Sequence, residues 1–184
     1  MKIKLINPPQ PNSLDDKLDP PLGLMYINAF LAKHSIESEI IDLPFFIDRN
    51  SWREKIGIAD FYGITVYSAS LYLAKEIAKI AKENNPEGKV IVGGPHPTAL
   101  KEEVLEDESN FDIVVMQEGE LTMLELTQGK LLGRIEGIIF RNNSEIIKNK
   151  LRKLNVDLDS ILEPNREILK INHYTRKVYG GFAT

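Results

Sequence analysis

The chain has 184 residues, 42% hydrophobic and 27% charged, an ordinary globular balance with room for one sizeable core and a small appendage. Its formal net charge of −4 and scattered Lys and Arg argue against a nucleic-acid surface. The absence of Cys excludes disulfides, thiolate zinc sites, Cys nucleophiles and Cys-ligated iron–sulfur clusters within this chain.

A Cys-free chain also fits a reducing compartment, and a cytoplasmic protein is the simplest expectation. The opening apolar run, in MKIKLINPP, is too short for a signal peptide. No apolar stretch approaches the ~20 residues of a membrane helix, so no membrane partner is expected.

The elements follow in chain order. Lys2–Ile6 reads as a first strand ending at Asn7-Pro8-Pro9, followed by a Pro-, Asp- and Asn-rich loop over residues 10–21. Leu22–His34 carries apolar residues at helical spacing, and Glu39–Leu43 is a second strand. Ser51–Ile58 predicts a short helix with Ser51 as cap and Glu54 three residues on.

Phe61–Val66 is a third strand, and Ser70–Asn84 an amphipathic helix. Lys89–Val92 is a fourth strand, stopped by Gly93-Gly94-Pro95. Thr98–Leu105 predicts a helix, Phe111–Met116 a fifth strand, and Leu121–Thr127 a helix closed by Gln128-Gly129.

These strands are short, continuous and rich in Ile and Val, as in a parallel sheet covered on both faces. Five strand–helix units imply an α/β, flavodoxin-like (Rossmann-like), doubly wound sheet of order 2-1-3-4-5. Ile135–Arg141 and Glu145–Asn149, joined through Asn142-Asn143, read as an added C-terminal β-hairpin. The expected organisation is an α/β domain over 1–130, the hairpin over 131–150 and a tail over 151–184.

In such a sheet a ligand sits beyond the carboxyl ends of the strands. That gathers Asn7–Pro9, Thr65–Leu71, Gly93–Thr98 and Gln117–Glu120. Gly93-Gly94 ends a buried strand without side chains, which permits close approach of a backbone or a large flat ligand. Pro95 and Pro97 stiffen the loop around His96, and Thr98 is placed to cap the next helix; a tight turn before a capped helix explains the same residues.

Thr65, Ser68 and Ser70 offer hydroxyls to a ligand, or Ser68 or Ser70 simply caps the helix begun by Leu71. Glu118-Gly119-Glu120 offers carboxylates to ribose hydroxyls, or forms a solvated turn with Glu120 at a helix start. No residue is expected to be catalytic. His34, His96 and His173 are far apart and lack metal-ligand spacing, so no metal site is expected. Neither a GxGxxG after the first strand nor a GxxxxGK[ST] loop is present.

Five segments in order resemble the N-terminal cobalamin-binding domain of radical-SAM proteins, the group that includes the anaerobic magnesium-protoporphyrin ester cyclases and many methyltransferases. They are the opening strand into Asn7-Pro8-Pro9, then Pro20–Ile27, then Val92–Thr98, then Gln117–Glu120 with Leu124–Leu126, and finally Ile135–Arg141.

The resemblance implies a corrinoid held base-off without a His ligand, or with another group below cobalt, since the loop from Asn7 to Leu22 lacks the His of the D-x-H-x-x-G motif found in one class of cobalamin domains. It implies a nucleotide tail entering near Gly93-Gly94, with Thr65 and Ser68–Leu71 on the corrin side. It also implies a parent protein with a C-x3-C-x2-C motif, a [4Fe-4S] cluster and S-adenosylmethionine, so that this chain is a fragment whose partner is the radical-SAM domain. Two other readings stand beside it: a scaffold or interaction domain of the same fold without the cofactor, and a flavodoxin-like or receiver domain with another ligand.

Overall fold

Four strands carry the centre of the molecule, and each reads as a near-continuous apolar run because it is buried on both faces. The computed structural model describes residues 1–11, 19–46 and 48–153, and beyond them 163, 164, 166, 169, 174, 176–178 and 181–183. Much of the expected 10–21 loop and of the 151–184 tail, with His173, lies outside the described residues.

Strands β1 (Ile3–Asn7), β2 (Glu39–Asp42), β3 (Phe61–Thr65), β4 (Lys89–Gly93) and β5 (Ile113–Val115) run parallel in the order 2-1-3-4-5. Strands β6 (Ile138–Asn142) and β7 (Glu145–Lys148) form the expected hairpin, which continues the same sheet as antiparallel sixth and seventh strands. At its turn Asn143 takes a positive φ of 55°, a conformation that Asn tolerates.

Register sorts the side chains onto two faces. Ile6, Ile64, Val92 and Val114 stand abreast on one face, and Leu5, Gly63, Ile91 and Ile113 on the other. Helices α2 (Trp52–Ile56), α3 (Leu71–Asn84) and α5 (Glu103–Asp107) close the first face, and α1 (Leu22–Lys33) and α6 (Glu120–Thr127) the second. In α3 the buried stripe is Leu73, Ala74, Ile77, Ala78 and Ala81, one face at helical spacing. Each fully buried Leu or Ile contributes about 1.5–3 kcal/mol through removal from water.

Three local expectations change. Ser51 does not cap α2; its hydroxyl donates to the Asp48 carbonyl, and the Asp48 carboxylate takes the Asn50 N–H instead. The helix expected over Thr98–Leu105 is two short ones, α4 (Pro95–Leu100) and α5, broken where Lys101 takes a positive φ of 56°. Thr98 therefore lies inside α4 and caps nothing. Within the region read as a polar tail, Arg176–Val178 and Gly181–Ala183 pair as antiparallel strands β8 and β9.

Polar ties hold the edges. Asn28, buried in α1, donates to the Ser38 carbonyl and hydroxyl at 2.8 Å each. Arg152 bonds the Glu125 carboxylate, and donates to Thr122 Oγ1 at 3.3 Å and the Glu136 carbonyl at 3.1 Å. Burial alone would raise the Glu125 carboxyl, but hydrogen bonds from Lys130 and Arg152 outweigh it and hold the group below its usual range.

Tyr62 is fully buried, accepts from the Ala59 N–H at 2.8 Å and donates to the Gly57 carbonyl at 3.0 Å. Tyr62→Phe leaves the buried Ala59 N–H without that partner, while the Gly57 carbonyl keeps Asn84, and is expected to cost about 1–3 kcal/mol in urea unfolding at unchanged m-value. An unfolding midpoint equal to the parent's contradicts this role.

Candidate functional site

A cavity of about 270 Å³ opens at the carboxyl ends of β1, β3, β4 and β5, on the face closed by α1 and α6. Its floor is two registered rows of the sheet. The inner row is Leu5, Gly63 and Ile91; the outer row, nearer the strand ends, is Thr65, Gly93 and Val115. Gly23, Leu24 and Ile27 of α1 form one wall, and Met123 of α6 the other. The loop Gln117–Gly119 and Glu120 close the mouth.

Glycines make the space. A Cβ on Gly63 would stand 3.0 Å from Leu5 Cδ2 and 3.7 Å from Met123 Cε. A Cβ on Gly119 would come within 3.0 Å of Ile27 Cδ1, whereas one on Gly23 would meet nothing within 4 Å. Gly94 is needed for its backbone: φ is +103°, and a Cβ would press on Thr65 Oγ1 at 3.1 Å and the Val66 backbone at 3.2 Å. The result is a narrow slot with apolar walls and floor, and polar groups only at the strand ends and mouth.

The residues singled out from the sequence divide into two sets. Thr65, Gly93, Gly94, Glu118, Gly119 and Glu120 line the cavity. The others stand around it. Asn7 is buried and donates to the Asp42 carboxylate at 2.7 Å, and Tyr174 donates to the other oxygen of that carboxylate. Pro8 is buried and Pro9 half-buried beyond β1, outside the lining.

Ser70 is fully buried and spends its hydroxyl on the Tyr67 backbone, accepting from the N–H and facing the carbonyl at 3.2 Å each. Leu71 packs into the core on the opposite face of the sheet. Ser68 meets His96 Nδ1 at 3.0 Å, and His96 lines a separate shallow hollow with Leu71, Leu100 and Glu103. Pro95 is exposed at the start of α4. Thr98 accepts from the Gln117 N–H at 3.1 Å, which clamps the mouth loop to α4.

Gly63, Ile91 and Met123 were not singled out from the sequence, and Gly23 and Ile27 stood only within the Pro20–Ile27 segment of the resemblance. Gly63 carried a readable signal, since a glycine inside a strand of aromatic and β-branched residues marks a close approach of other atoms. Among the described residues no group of three or more His, Asp or Glu is placed to hold a metal ion. No helix among them is long and apolar enough to cross a membrane.

Glu120 is half-buried at the first turn of α6. Burial raises its carboxyl above the usual range, and neighbouring Glu118 adds to the rise against hydrogen bonds from the Glu120 and Gly119 amides.

Comparisons with known proteins agree with this geometry. The family model described as B12 binding domain matches residues 18–127. An uncharacterized methyltransferase of Pyrococcus horikoshii is 32% identical over 95% of this chain and 40% of its own length. The anaerobic magnesium-protoporphyrin IX monomethyl ester cyclase of Cereibacter sphaeroides is 27% identical over 88% of this chain and 28% of its own.

Among solved structures, the radical S-adenosylmethionine methyltransferase TsrM of Kitasatospora setae, with cobalamin and a [4Fe-4S] cluster bound, superposes with a TM-score of 0.70 at 18% identity. That match covers 88% of this chain and 31% of TsrM. The cobalamin-dependent radical enzyme OxsB, with aqua-cobalamin and S-adenosylmethionine bound, gives 0.63 at 19% identity over 83% of this chain and 22% of its own. The chain thus spans well under half the length of the relatives it matches.

A raised carboxylate pKa stabilises the fold below the usual carboxylate range and is lost as pH rises through the raised value. Glu120→Gln is therefore expected to melt above the parent near about pH 8 and not near about pH 4. An equal difference at both ends contradicts the burial of this carboxyl.

Proposed function

The chain belongs to the B12-binding domain family, and on that premise we propose that it holds a corrinoid base-off, with the nucleotide tail lowered into the slot between α1 and α6. The observation that carries this reading is the glycine-floored cavity: the side chains missing at Gly63 and Gly93 leave a deep, narrow, apolar space at the switch point of the sheet. A flat macrocycle then rests on the rim above the strand ends.

The residues divide the work. Leu5, Gly63, Ile91, Ile27 and Met123 bury the distal part of the tail. Thr65 and Glu120, at the mouth, accept or donate to its hydroxyl groups, and the Gly93-Gly94 backbone allows the close approach. Thr98 holds the Gln117–Glu120 loop in place through the Gln117 amide. Ser68 and His96 stand beside the corrin edge as a mutually bonded pair.

Among the described residues, no imidazole would serve as a ligand to cobalt in this reading. His96 is engaged by Ser68 outside the cavity lining, and His34 bonds the Phe30 carbonyl at the far end of α1. When bound, a corrinoid supplies redox-active cobalt chemistry; the chain's own part is to bind, orient and exclude water from its tail. We further propose that the domain serves a radical-SAM protein performing methyl transfer or oxidative cyclisation, with the radical-SAM domain as its partner. A cytoplasmic location belongs to the same reading, because reduced cobalt and a reduced cluster need a reducing compartment.

Hydroxocobalamin is expected to co-elute with the chain in gel filtration, and Gly63→Val to weaken its affinity by at least about tenfold. Cobinamide, which lacks the nucleotide tail, should bind parent and variant alike. A Gly63→Val protein that remains folded and binds hydroxocobalamin as tightly as the parent contradicts the placement of the tail.

A further inference from the structure

Resting on the corrinoid reading above, we infer that the cavity selects the lower base of the corrinoid by shape and apolarity, without a hydrogen bond to the base, and so disfavours a purine. Natural corrinoids differ in this group: it is an alkylated benzimidazole, a purine such as adenine, or a phenol. The distribution of polar atoms along the slot decides among them.

Every polar side chain of the lining stands at the strand ends or the mouth. Thr65 is in the outer row, and Gln117, Glu118 and Glu120 belong to the loop and helix start above it. Below them the lining is Leu5, Gly63, Ile91, Ile27, Leu24 and Met123, with no side-chain donor or acceptor. The peptide groups of that inner floor are engaged in the ladders joining β1, β3 and β4.

Candidate hydroxyls elsewhere on the rim are already engaged. The Ser70 hydroxyl serves the Tyr67 backbone, and Ser68 serves His96.

A base lowered into this part of the slot leaves water behind and finds only carbon. Adenine would carry several ring nitrogens and an exocyclic amine into that space, and each buried polar group without a partner costs free energy. Dimethylbenzimidazole carries one free ring nitrogen and two methyl groups that add apolar contact. A p-cresol lower ligand carries no nitrogen at all. The expected order of affinity places the cresolyl and dimethylbenzimidazolyl forms together, with the adeninyl form weaker by about ten- to a hundredfold. Adenine binds cobalt through a less basic nitrogen than dimethylbenzimidazole, so the cost of freeing the base works against the preference for cobalamin over the adeninyl form and cannot produce it. The cresolyl form has no base to free, so the comparison of cobalamin with adeninylcobamide carries the rule.

The test is equilibrium binding of cobalamin, adeninylcobamide and p-cresolylcobamide to the full 184-residue chain, read by retention of the corrinoid absorbance on gel filtration and by titration calorimetry. The expected result is that cobalamin and p-cresolylcobamide bind at least about tenfold more tightly than adeninylcobamide. Adeninylcobamide binding as tightly as cobalamin, or p-cresolylcobamide binding as weakly as adeninylcobamide, overturns the selection rule and leaves corrinoid binding standing. Retention of none of the three overturns the corrinoid reading itself, and the selection rule with it.

Discussion

The absence of side chains at Gly63 and Gly93, on adjacent rows and adjacent strands of one sheet, is the constraint on which the site depends. A close-packed interior has almost no voids larger than a water molecule. Here two helices, α1 and α6, meet across a floor that lacks the side chains to fill the gap between them. Leu5 and Met123 come near the missing Gly63 Cβ, and Ile27 near the missing Gly119 Cβ, so the slot is bounded by flexible apolar side chains. Such a cavity forgoes packing energy in the free protein, and a ligand that fills it recovers the lost contacts.

The frame around the slot is stiff. The opposite face of the sheet carries Trp52, Tyr62, Ile64, Leu73 and Ile77, all at 2% exposure or less, so the floor is braced from behind. Thr98 ties the mouth loop to α4, and the Arg152 side chain ties the segment after β7 to α6 through Thr122 and Glu125. At the other end of the rim, Asp42 receives both Asn7 and Tyr174, and the Tyr174 ring packs edge-on to Phe45 at 5.0 Å. Burial first, and the Asp42 carboxylate second, push the Tyr174 hydroxyl far above its usual range, which keeps it a donor.

The parallel order of the sheet was legible because strand–helix alternation and Ile/Val runs such as Val90–Val92 admit few topologies. The hairpin was legible from Asn142-Asn143 between two β-rich runs. Local caps were not, because Ser51 turns its hydroxyl back to the Asp48 carbonyl three residues earlier and Thr98 is taken up by the distant Gln117 amide. For the site, loop composition located the rim: Thr65, Gly93, Gly94, Glu118, Gly119 and Glu120 were all recognisable from their places at strand ends. The walls were hidden, because Leu5, Ile27, Ile91 and Met123 read as ordinary core residues until α1 and α6 are seen to meet across the floor at Gly63.

The central claim is that the nucleotide tail leaves cobalt and is buried in the slot. Electron paramagnetic resonance of the chain loaded with cob(II)alamin tests it most directly, because unpaired density on cobalt splits against a coordinated nitrogen. Loss of the nitrogen superhyperfine splitting, with no new nitrogen coupling from the chain, is the predicted spectrum. A spectrum that keeps the splitting of the coordinated benzimidazole would contradict the account.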